Sequence, residues 1–274
     1  MIVSASRRTD LPAFHAEWFS RRLQEGHVDV ANPFNPKQIR RVPLAPGEVT
    51  AFVFWTRDPR PLLPVLDTLD ERGDRYYFQF TLTAYGRDLE PGLAPGPERI
   101  DAFVDLAERL GPERVLWRYD PIVLSSRTPA DFHRQAFTKL CERLAGHTRR
   151  VTISLVEYYR KVDRRLRALE AEGVTFDRQA AGRPETLALV AELSTTAREH
   201  DMEMVACASP IDLRAAGVLP AACVDGGLIE RLWNIRVPAG RDRGQRAACR
   251  CTPSRDIGTN GTCRHGCLYC YANR

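Results

Sequence analysis

Short apolar runs alternate with longer amphipathic runs along most of the chain. The apolar runs are rich in β-branched and aromatic residues and predict strands: MIVSAS, VTAFVFW, YYFQFTLT, RVLWRYD, RVTISLV, MEMVACA and RLWNI. Between them, apolar residues recur with a helical period near 12–25, 60–72, 97–110, 129–145, 160–172 and 184–200. Because parallel strands are joined by crossovers that are usually helices, this alternation predicts an α/β fold with a parallel sheet.

Six or seven such units indicate a TIM-like βα barrel, complete or partial, over residues 1–236. A doubly wound open sheet is the alternative, but no G-x-G-x-x-G follows the first strand. From residue 237 the periodicity stops, and 237–274 form a polar, Gly-rich, cysteine-rich tail. Such a segment stays disordered unless something orders it, so we expect a bound metal group to make it part of the same globular unit.

Composition places the chain among soluble globular proteins. Of its 274 residues, 43% are hydrophobic and 27% are charged, and no apolar run reaches the ~18–20 residues of a membrane helix. The first residues lack the apolar stretch of a signal peptide, so we expect a cytoplasmic protein without a membrane partner. The net charge is +5, with arginine and acid interspersed. This balance does not exclude nucleic acid, but no basic block predicts it.

The cysteines carry the strongest chemical signal. Five of the eight lie in the last 26 residues, which in a cytosolic protein favours metal binding over disulfides. Cys263, Cys267 and Cys270 are spaced C-x3-C-x2-C, one ligand short of a four-coordinate site. Zinc usually takes four ligands, and His265 could complete a Cys3His site. A [4Fe–4S] cluster held by three thiolates would instead leave one iron open to an external ligand.

The segment GTCRHGCLYCY resembles the signature of radical S-adenosylmethionine (SAM) enzymes. The segments SASRRTDLPAF, NPFNP, FWTRDP, YYFQFTLTAY, WRYDPI and QRAACRCTPSRDIG resemble a prokaryotic family of domains of unknown function, whose C-terminal cysteines are similar to that signature. The resemblance implies that Cys263, Cys267 and Cys270 hold a [4Fe–4S] cluster, that Tyr269 lies near the adenine of SAM, and that SAM is cleaved to start radical chemistry. It also implies a small-molecule substrate and an electron donor of flavodoxin or ferredoxin type.

The motif stands at the end of the chain, whereas radical SAM enzymes carry it after the first strand. In a closed barrel the last strand neighbours the first, so a motif after the last strand can reach the same face. We therefore expect the tail to cross the barrel mouth, at the carboxyl ends of the strands, where barrel active sites lie. A tail packed against the amino ends would contradict this expectation.

Cys141 lies on the apolar side of a predicted helix and is expected to be a core thiol. The four remaining cysteines predict a second site. Cys207 ends a strand, Cys223 lies in the following loop, and Cys249 and Cys251 form CRC ahead of the triad. Four thiols are enough for a closed site. We expect these four to hold a second [4Fe–4S] cluster or a structural zinc.

Polar residues gather at the carboxyl ends of the predicted strands. Arg118 is expected to bind the SAM carboxylate, because its planar guanidinium binds carboxylates bidentately, and Glu157 is expected to bind the ribose or the ammonium. These two are also the catalytic candidates, and Gln79 and Thr81, on one alternating face, are expected beside the cofactor. The predicted substrate-binding residues are Arg7, Arg8, Asp10, Arg57, Tyr119 and Asp120.

Together these observations favour an iron–sulfur enzyme of radical SAM type. Two alternatives remain: a non-catalytic iron–sulfur protein that senses redox state or iron, and a barrel enzyme with a structural zinc tail. Only the first should cleave SAM.

Overall fold

A computed structural model describes residues 1–33, 35–209 and 211–273. Phe34 of NPFNP and the last residue of the predicted tail therefore lie outside the described residues. The strands are β1 (Ile2–Ala5), β2 (His27–Asn32), β3 (Asn35–Pro43), β4 (Ala51–Thr56), β5 (Tyr76–Thr81), β6 (Val115–Ile122), β7 (Arg150–Leu155), β8 (Glu203–Cys207), β9 (Leu219–Ala221) and β10 (Ser254–Asp256). The helices are α1 (Leu11–Phe14), α2 (Ala16–Glu25), α3 (Leu63–Glu71), α4 (Gly96–Leu110), α5 (Ala130–Leu144), α6 (Arg160–Ala171), α7 (Pro184–Glu199) and α8 (Gly226–Trp233).

Eight of the strands form one parallel sheet in the order β10-β1-β4-β5-β6-β7-β8-β9. The predicted α/β class with a large parallel sheet is confirmed. A TIM-like barrel is not confirmed, because the sheet is open: β9 and β10 are its outer strands and do not pair with each other in the described chain. β2 and β3 form a separate antiparallel hairpin, in a stretch that contains none of the predicted strands.

The two faces of the sheet are covered differently. Side chains such as Phe52 and Phe54 face the core that α2–α5 and α7 bury, while Ala51 and Val53, which alternate with them, face α8. α8 includes most of the run RLWNI, so the prediction of a strand there was wrong. The Asp225 side chain accepts a hydrogen bond from a backbone N–H of the first turn and begins a helix.

β10 brings the tail into the sheet. It pairs with β1 in parallel, with Ser254 opposite Ile2 and Asp256 opposite Ser4. The Ser4 hydroxyl donates to the Asp256 carboxylate over 2.6 Å. The chain after Asp256 therefore leaves the sheet at the same edge as the loop after β1. Among the described residues, no helix has the length and apolar character needed to cross a membrane.

Candidate functional site

The loop that carries the cysteine triad lies across the carboxyl ends of the parallel strands, which we call the carboxyl edge of the sheet. His265 Nε2 is 2.8 Å from Asp10 Oδ2, in the segment after β1. The backbone N–H of Gly92, after β5, donates to the His265 carbonyl over 2.9 Å. The Cys263, Cys267 and Cys270 loop is thus held beside the ends of β1, β4 and β5 rather than under the amino ends of the strands.

Asp10 is the main anchor of this loop to the sheet. Its carboxylate accepts hydrogen bonds from Ala13 N (3.0 Å), Thr56 Oγ1 (2.8 Å) and Arg57 N (2.7 Å), and it contacts the His265 ring. The carboxylate is therefore engaged by α1, β4 and the cysteine loop together. Asp10 positions these segments, and no atom of its carboxylate is left for the predicted substrate contact.

A buried ion network lies close enough to Cys267 for Arg57 and Glu90 to act on its thiol electrostatically. Arg57 Nη1 donates to Glu90 Oε1 over 2.8 Å, Arg57 Nη2 donates to the Tyr269 hydroxyl over 2.6 Å, and that hydroxyl donates to Glu90. Arg99 Nη1 lies 3.5 Å from Glu90 Oε2. The side chains of Glu90 and Arg99 are 1% and 5% exposed. The network holds two guanidinium groups and one carboxylate, so it carries one excess positive charge.

That excess charge is not compensated within the network. Nε and Nη1 of Arg99 are buried without a hydrogen-bond partner. Burial lowers the pKa of Arg99, and the attraction of Glu90 only partly offsets this effect. The neighbouring thiol does not supply the missing charge, because burial raises the pKa of Cys267 to about 12 despite the nearby Arg57. Burial also raises the pKa of Cys263.

α6 holds the triad loop from the other side. Arg165 Nε donates to the Leu268 carbonyl over 2.9 Å, and its terminal nitrogens donate to the carbonyls of Cys270 and Asn273. The apolar side of α6 packs in one cluster with Cys267 and Tyr269. Three backbone carbonyls around the third cysteine are therefore fixed by one guanidinium.

The structure also brings together the other four cysteines, which come from three separate parts of the chain. The Sγ atoms of Cys207 and Cys223 are 3.0 Å apart. Cys251 contacts both Cys223 and Cys249, and its thiol lowers the pKa of Cys249 to about 7. Cys223, Cys249 and Cys251 are 5%, 7% and 2% exposed. The result is a closed group of four thiols.

The spacing of these thiols can be compared with known sulfur sites. A disulfide brings two sulfurs to about 2.05 Å, and a tetrahedral zinc with 2.3 Å bonds holds them about 3.8 Å apart. The 3.0 Å contact between Cys207 and Cys223 lies between these values. Accordingly, no set of three or more Cys, His, Asp or Glu side chains in the described chain stands in metal-ligand geometry as packed. Zinc would require the sulfurs of Cys207 and Cys223 to spread by about 1 Å.

Two residues predicted to bind SAM lie against the four thiols rather than the triad. Arg118 Nη1 donates to Cys223 Sγ over 2.8 Å, and its Nη2 donates to Asp120. Gln79 Nε2 donates to the Cys223 carbonyl over 2.9 Å. Thr81 is half-buried at the end of β5, in register with Arg118. Arg118, Asp120, Gln79 and Thr81 are therefore gathered on one face, next to the second cysteine group.

Of the remaining predicted residues, Glu157, Arg7 and Arg8 lie against the cysteine-rich segment, whereas Tyr119 does not. Glu157 is half-buried and pairs with Arg246, and the Tyr159 hydroxyl also donates to it, so it meets the cysteine-rich segment. Tyr119 is not brought to the site. Because Tyr119 alternates with Arg118 and Asp120 along β6, its side chain points to the opposite face of the sheet. There it is fully buried in the core that α2–α5 and α7 cover, and its hydroxyl forms a hydrogen bond with His133 Nδ1.

Arg7 and Arg8 lie where β1 meets the tail. Arg7 N donates to Asp256 Oδ2 over 2.8 Å, its Nη2 donates to Ser254 Oγ over 3.0 Å, and its guanidinium lies over the Trp55 ring. Its Nη1 is buried without a hydrogen-bond partner among the described residues. Arg8 Nη1 donates to a carbonyl of the tail over 3.3 Å. Arg7 therefore offers a free donor at the carboxyl edge.

Sequence reasoning missed several residues that build the site. Glu90 follows β5 in a Pro- and Gly-rich stretch with no periodic signal, whereas Arg99 and Arg165 stand in predicted helices among other charged residues. Asp256 was placed in a tail without predicted elements. No spacing in the sequence marks these residues, since each acquires its role only from a neighbour far along the chain.

Comparison with known proteins adds a family without an assigned activity. A family model described as "Domain of unknown function (DUF1848)" matches residues 2–272, which includes all eight cysteines. No curated protein matches the chain.

Proposed function

The chain belongs to the DUF1848 family of domains of unknown function, and we propose that this member is a radical-SAM-like iron–sulfur enzyme. In this proposal Cys263, Cys267 and Cys270 hold a [4Fe–4S] cluster, and SAM binds at the iron that lacks a protein ligand. The substrate is a small molecule, and a flavodoxin- or ferredoxin-type protein supplies electrons.

The observation that carries the proposal is the uncompensated positive charge beside the triad. Cysteines must lose their protons to bind a metal, so a loaded triad is anionic. The three thiolates would supply the negative charge that Arg57 and Arg99 lack beside a single Glu90. A buried charge without a partner costs several kcal/mol, and a bound anionic group removes that cost.

The chain's own residues prepare the site for such a group. Cys267 and Tyr269 are 4% and 6% exposed, so water is largely excluded from the inner side of the loop. Tyr269 joins the triad to Glu90 and Arg57, which supports its proximity to the cofactor but engages its hydroxyl in the network. When bound, the cluster would supply the single electron that cleaves SAM, a chemistry taken from the resemblance to radical SAM enzymes.

Contacts to SAM and substrate are proposed for the residues of the same edge. Arg118 and Glu157 already pair with Asp120 and Arg246, so each would exchange a protein partner for the cofactor. Arg7 also pairs with Asp242 and Asp256, at 3.7 and 3.8 Å, but its Nη1 has no hydrogen-bond partner in the described chain. We infer that Arg7 binds an anionic group of the substrate or of SAM through this nitrogen.

The four-thiol group is proposed as a second, closed site. Four neighbouring thiols, three of them buried, come from β8, the β9–α8 loop and the segment before β10 and suit a second [4Fe–4S] cluster, with the N–H of Arg118 on Cys223 Sγ tuning it. Zinc is the second candidate, because the 3.0 Å contact needs only about 1 Å of spreading to reach a tetrahedral zinc. A zinc here would fix the tail without taking part in electron transfer.

Anaerobic reconstitution with iron and sulfide tests the proposal. Iron per chain is counted, and EPR spectra are recorded after dithionite reduction, with and without SAM. The variants are Cys267→Ser for the triad and Cys251→Ser for the second site. The control is Cys141→Ser, since Cys141 is a buried core thiol of α5.

We expect about four irons per cluster, a reduced signal that SAM changes, and loss of that response in Cys267→Ser alone. The control should keep all of its iron. Zinc at the triad would overturn the radical proposal and leave a structural tail. Iron at the triad without any response to SAM would overturn SAM binding and favour the iron- or redox-sensing alternative.

A further inference from the structure

α6 has two faces of opposite character. Val162, Leu166 and Leu169 are buried in the apolar cluster that contains Cys267 and Tyr269. On the opposite side, positions i, i+4 and i+7 carry arginines, all exposed, with a partly exposed lysine beside them. We call this surface the α6 basic stripe; its residues are Arg160, Lys161, Arg164 and Arg167.

The α6 basic stripe is not neutralised within the part of the chain that the structure describes. None of its side chains forms an ion pair within residues 1–33, 35–209 and 211–273. The nearest acids on the helix, Asp163 and Glu170, are both taken by Arg178, at 3.0 and 2.7 Å. Like charges four residues apart destabilise a helix, and no ion pair within the described residues offsets this cost.

Several other exposed arginines of this protein are paired, whereas others, such as Arg40 and Arg149, form no ion pair in the described chain. Arg127 binds Asp88 and Glu172, and Arg134 binds an acid of its own helix and one of α7. An open hollow of about 670 Å³ lies along the stripe, lined by the four basic residues, Tyr159 and Asp163. A concentrated positive surface beside a hollow is complementary to an acidic partner.

The stripe is also joined to the triad through the helix itself. The inner side of α6 packs against Cys267, and Arg165 holds the carbonyls of Leu268 and Cys270. A partner docked on the outer side would be separated from the triad loop by one helix, about 10 Å across. α6 therefore connects a charged surface to the group that the triad is proposed to hold.

We propose that the α6 basic stripe docks an acidic one-electron donor protein that serves the triad. This inference rests on the proposed function. The transfer moves one electron from the partner's reduced flavin or iron–sulfur group, which is oxidised by one electron, to the group held by the triad, which is reduced by one. No bond forms or breaks.

The dimensions of the stripe favour a protein over a nucleic acid. From Arg160 to Arg167 it extends about 10 Å along one helix. Electron-transfer complexes use small, charged and transient interfaces, whereas a nucleic acid is bound by contacts to many successive phosphates. A compact stripe on one helix fits the first kind of partner.

Charge reversal tests the docking surface directly. The test variant is Arg160→Glu/Arg164→Glu/Arg167→Glu. The control is Lys37→Glu/Arg40→Glu/Arg149→Glu, which makes the same change in net charge at exposed residues without an ion pair in the described chain. An acidic flavodoxin is titrated calorimetrically into each protein, in metal-free and iron-loaded form, at low and at high salt.

We expect the wild-type protein and the control to bind alike at low salt, and the stripe variant to bind at least about 10-fold more weakly. High salt should abolish the difference between them. The reduction of iron-loaded protein by reduced flavodoxin should slow similarly, while reduction by dithionite should not change.

Equal binding by wild type and stripe variant, or equal loss in the control, would overturn the docking surface. So would a single-stranded oligonucleotide that binds more tightly than flavodoxin and is lost in the stripe variant, which would mark the stripe as a nucleic-acid surface. If the chain takes up no iron, the proposed function fails, and the titration of metal-free protein still decides whether the stripe binds an acidic protein.

Discussion

Replacing Arg99 with methionine tests the electrostatic reasoning on the triad. The Arg99 side chain is 5% exposed, and two of its guanidinium nitrogens have no hydrogen-bond partner. Its ion partner Glu90 already accepts a hydrogen bond from Arg57 over 2.8 Å. Methionine keeps a long apolar side chain in this place and removes both the charge and the unpaired N–H donors. We therefore expect Arg99→Met to stabilise the metal-free protein.

The expected magnitude follows from opposing contributions. With an effective dielectric constant of 20, two unit charges 3.5 Å apart attract by about 5 kcal/mol. Against this attraction stand the several kcal/mol of burying an ion, about 1–3 kcal/mol for each unsatisfied donor, and repulsion from Arg57. The pKa of Arg99 is lowered, so burial outweighs the attraction to Glu90. Replacing such a charge by an apolar group should raise the free energy of unfolding by about 1–3 kcal/mol.

Urea denaturation of metal-free and iron-loaded protein measures this effect. Glu90→Gln, which removes the only carboxylate of the network, serves as the opposite perturbation and should lower the free energy of unfolding by about 3–5 kcal/mol. In iron-loaded protein the gain from Arg99→Met should vanish or reverse, because the thiolates then lose a cation. If Arg99→Met destabilises metal-free protein as Glu90→Gln does, Arg99 is an ordinary ion-pair partner. Its charge then gives no support for an anionic group bound at the triad.

Three further predictions concern the buried His133, the hydrogen bonds of Arg165 to the tail and the packing of the cysteine loop. Burial lowers the pKa of His133 to about 4, whereas an unfolded histidine titrates near 6.5. Between these values the unfolded chain binds more protons, so stability should fall by up to about 3 kcal/mol as the pH drops from 6.5 to 4. His133→Gln should flatten that slope in urea titrations, and an unchanged slope would assign it to another group. Arg165→Met removes charged hydrogen bonds worth about 1.5–3 kcal/mol each. Backbone amides near Cys270 should therefore exchange hydrogen at least about 10-fold faster. Unchanged exchange would show that these hydrogen bonds are not needed to hold the tail. Gly92→Ala places a Cβ 2.7 Å from two backbone carbonyl oxygens of the cysteine loop, whereas the Cβ of the control Gly96→Ala meets nothing within 4 Å. Only Gly92→Ala should lower Tm, by several degrees. Equal Tm values for the two variants would contradict this close approach.

Much of the fold was predictable because it depends on local periodicity. The pattern at 129–145 predicted a helix, and α5 extends over Ala130–Leu144. Apolar runs such as VTAFVFW correspond to strands buried on both faces of the sheet, as expected for parallel strands covered on both sides. The errors fell where local signals are weak. RLWNI is a short apolar run, for which strand and helix look alike, and β10 is only three residues long.

The candidate site was predictable only where residue type alone carries the signal. Clustered thiols in a polar tail indicated a metal site, and the four scattered cysteines were expected to meet, as they do in the structure. The partners of those thiols were not predictable. Glu90 meets Arg57, 33 positions earlier, and Tyr269, 179 positions later. No periodic or spacing rule connects residues that far apart.

The sequence by itself determined the α/β class, the order of most elements and the identity of the thiols, because these depend on short-range patterns and on residue chemistry. The tertiary structure alone decided that the sheet stays open and that β10 joins β1, which returns the end of the chain to the edge where it began. It also decided that an excess positive charge is buried beside the triad. Strand pairing and burial depend on contacts between distant segments, and the free energy of a buried charge depends on every group packed around it.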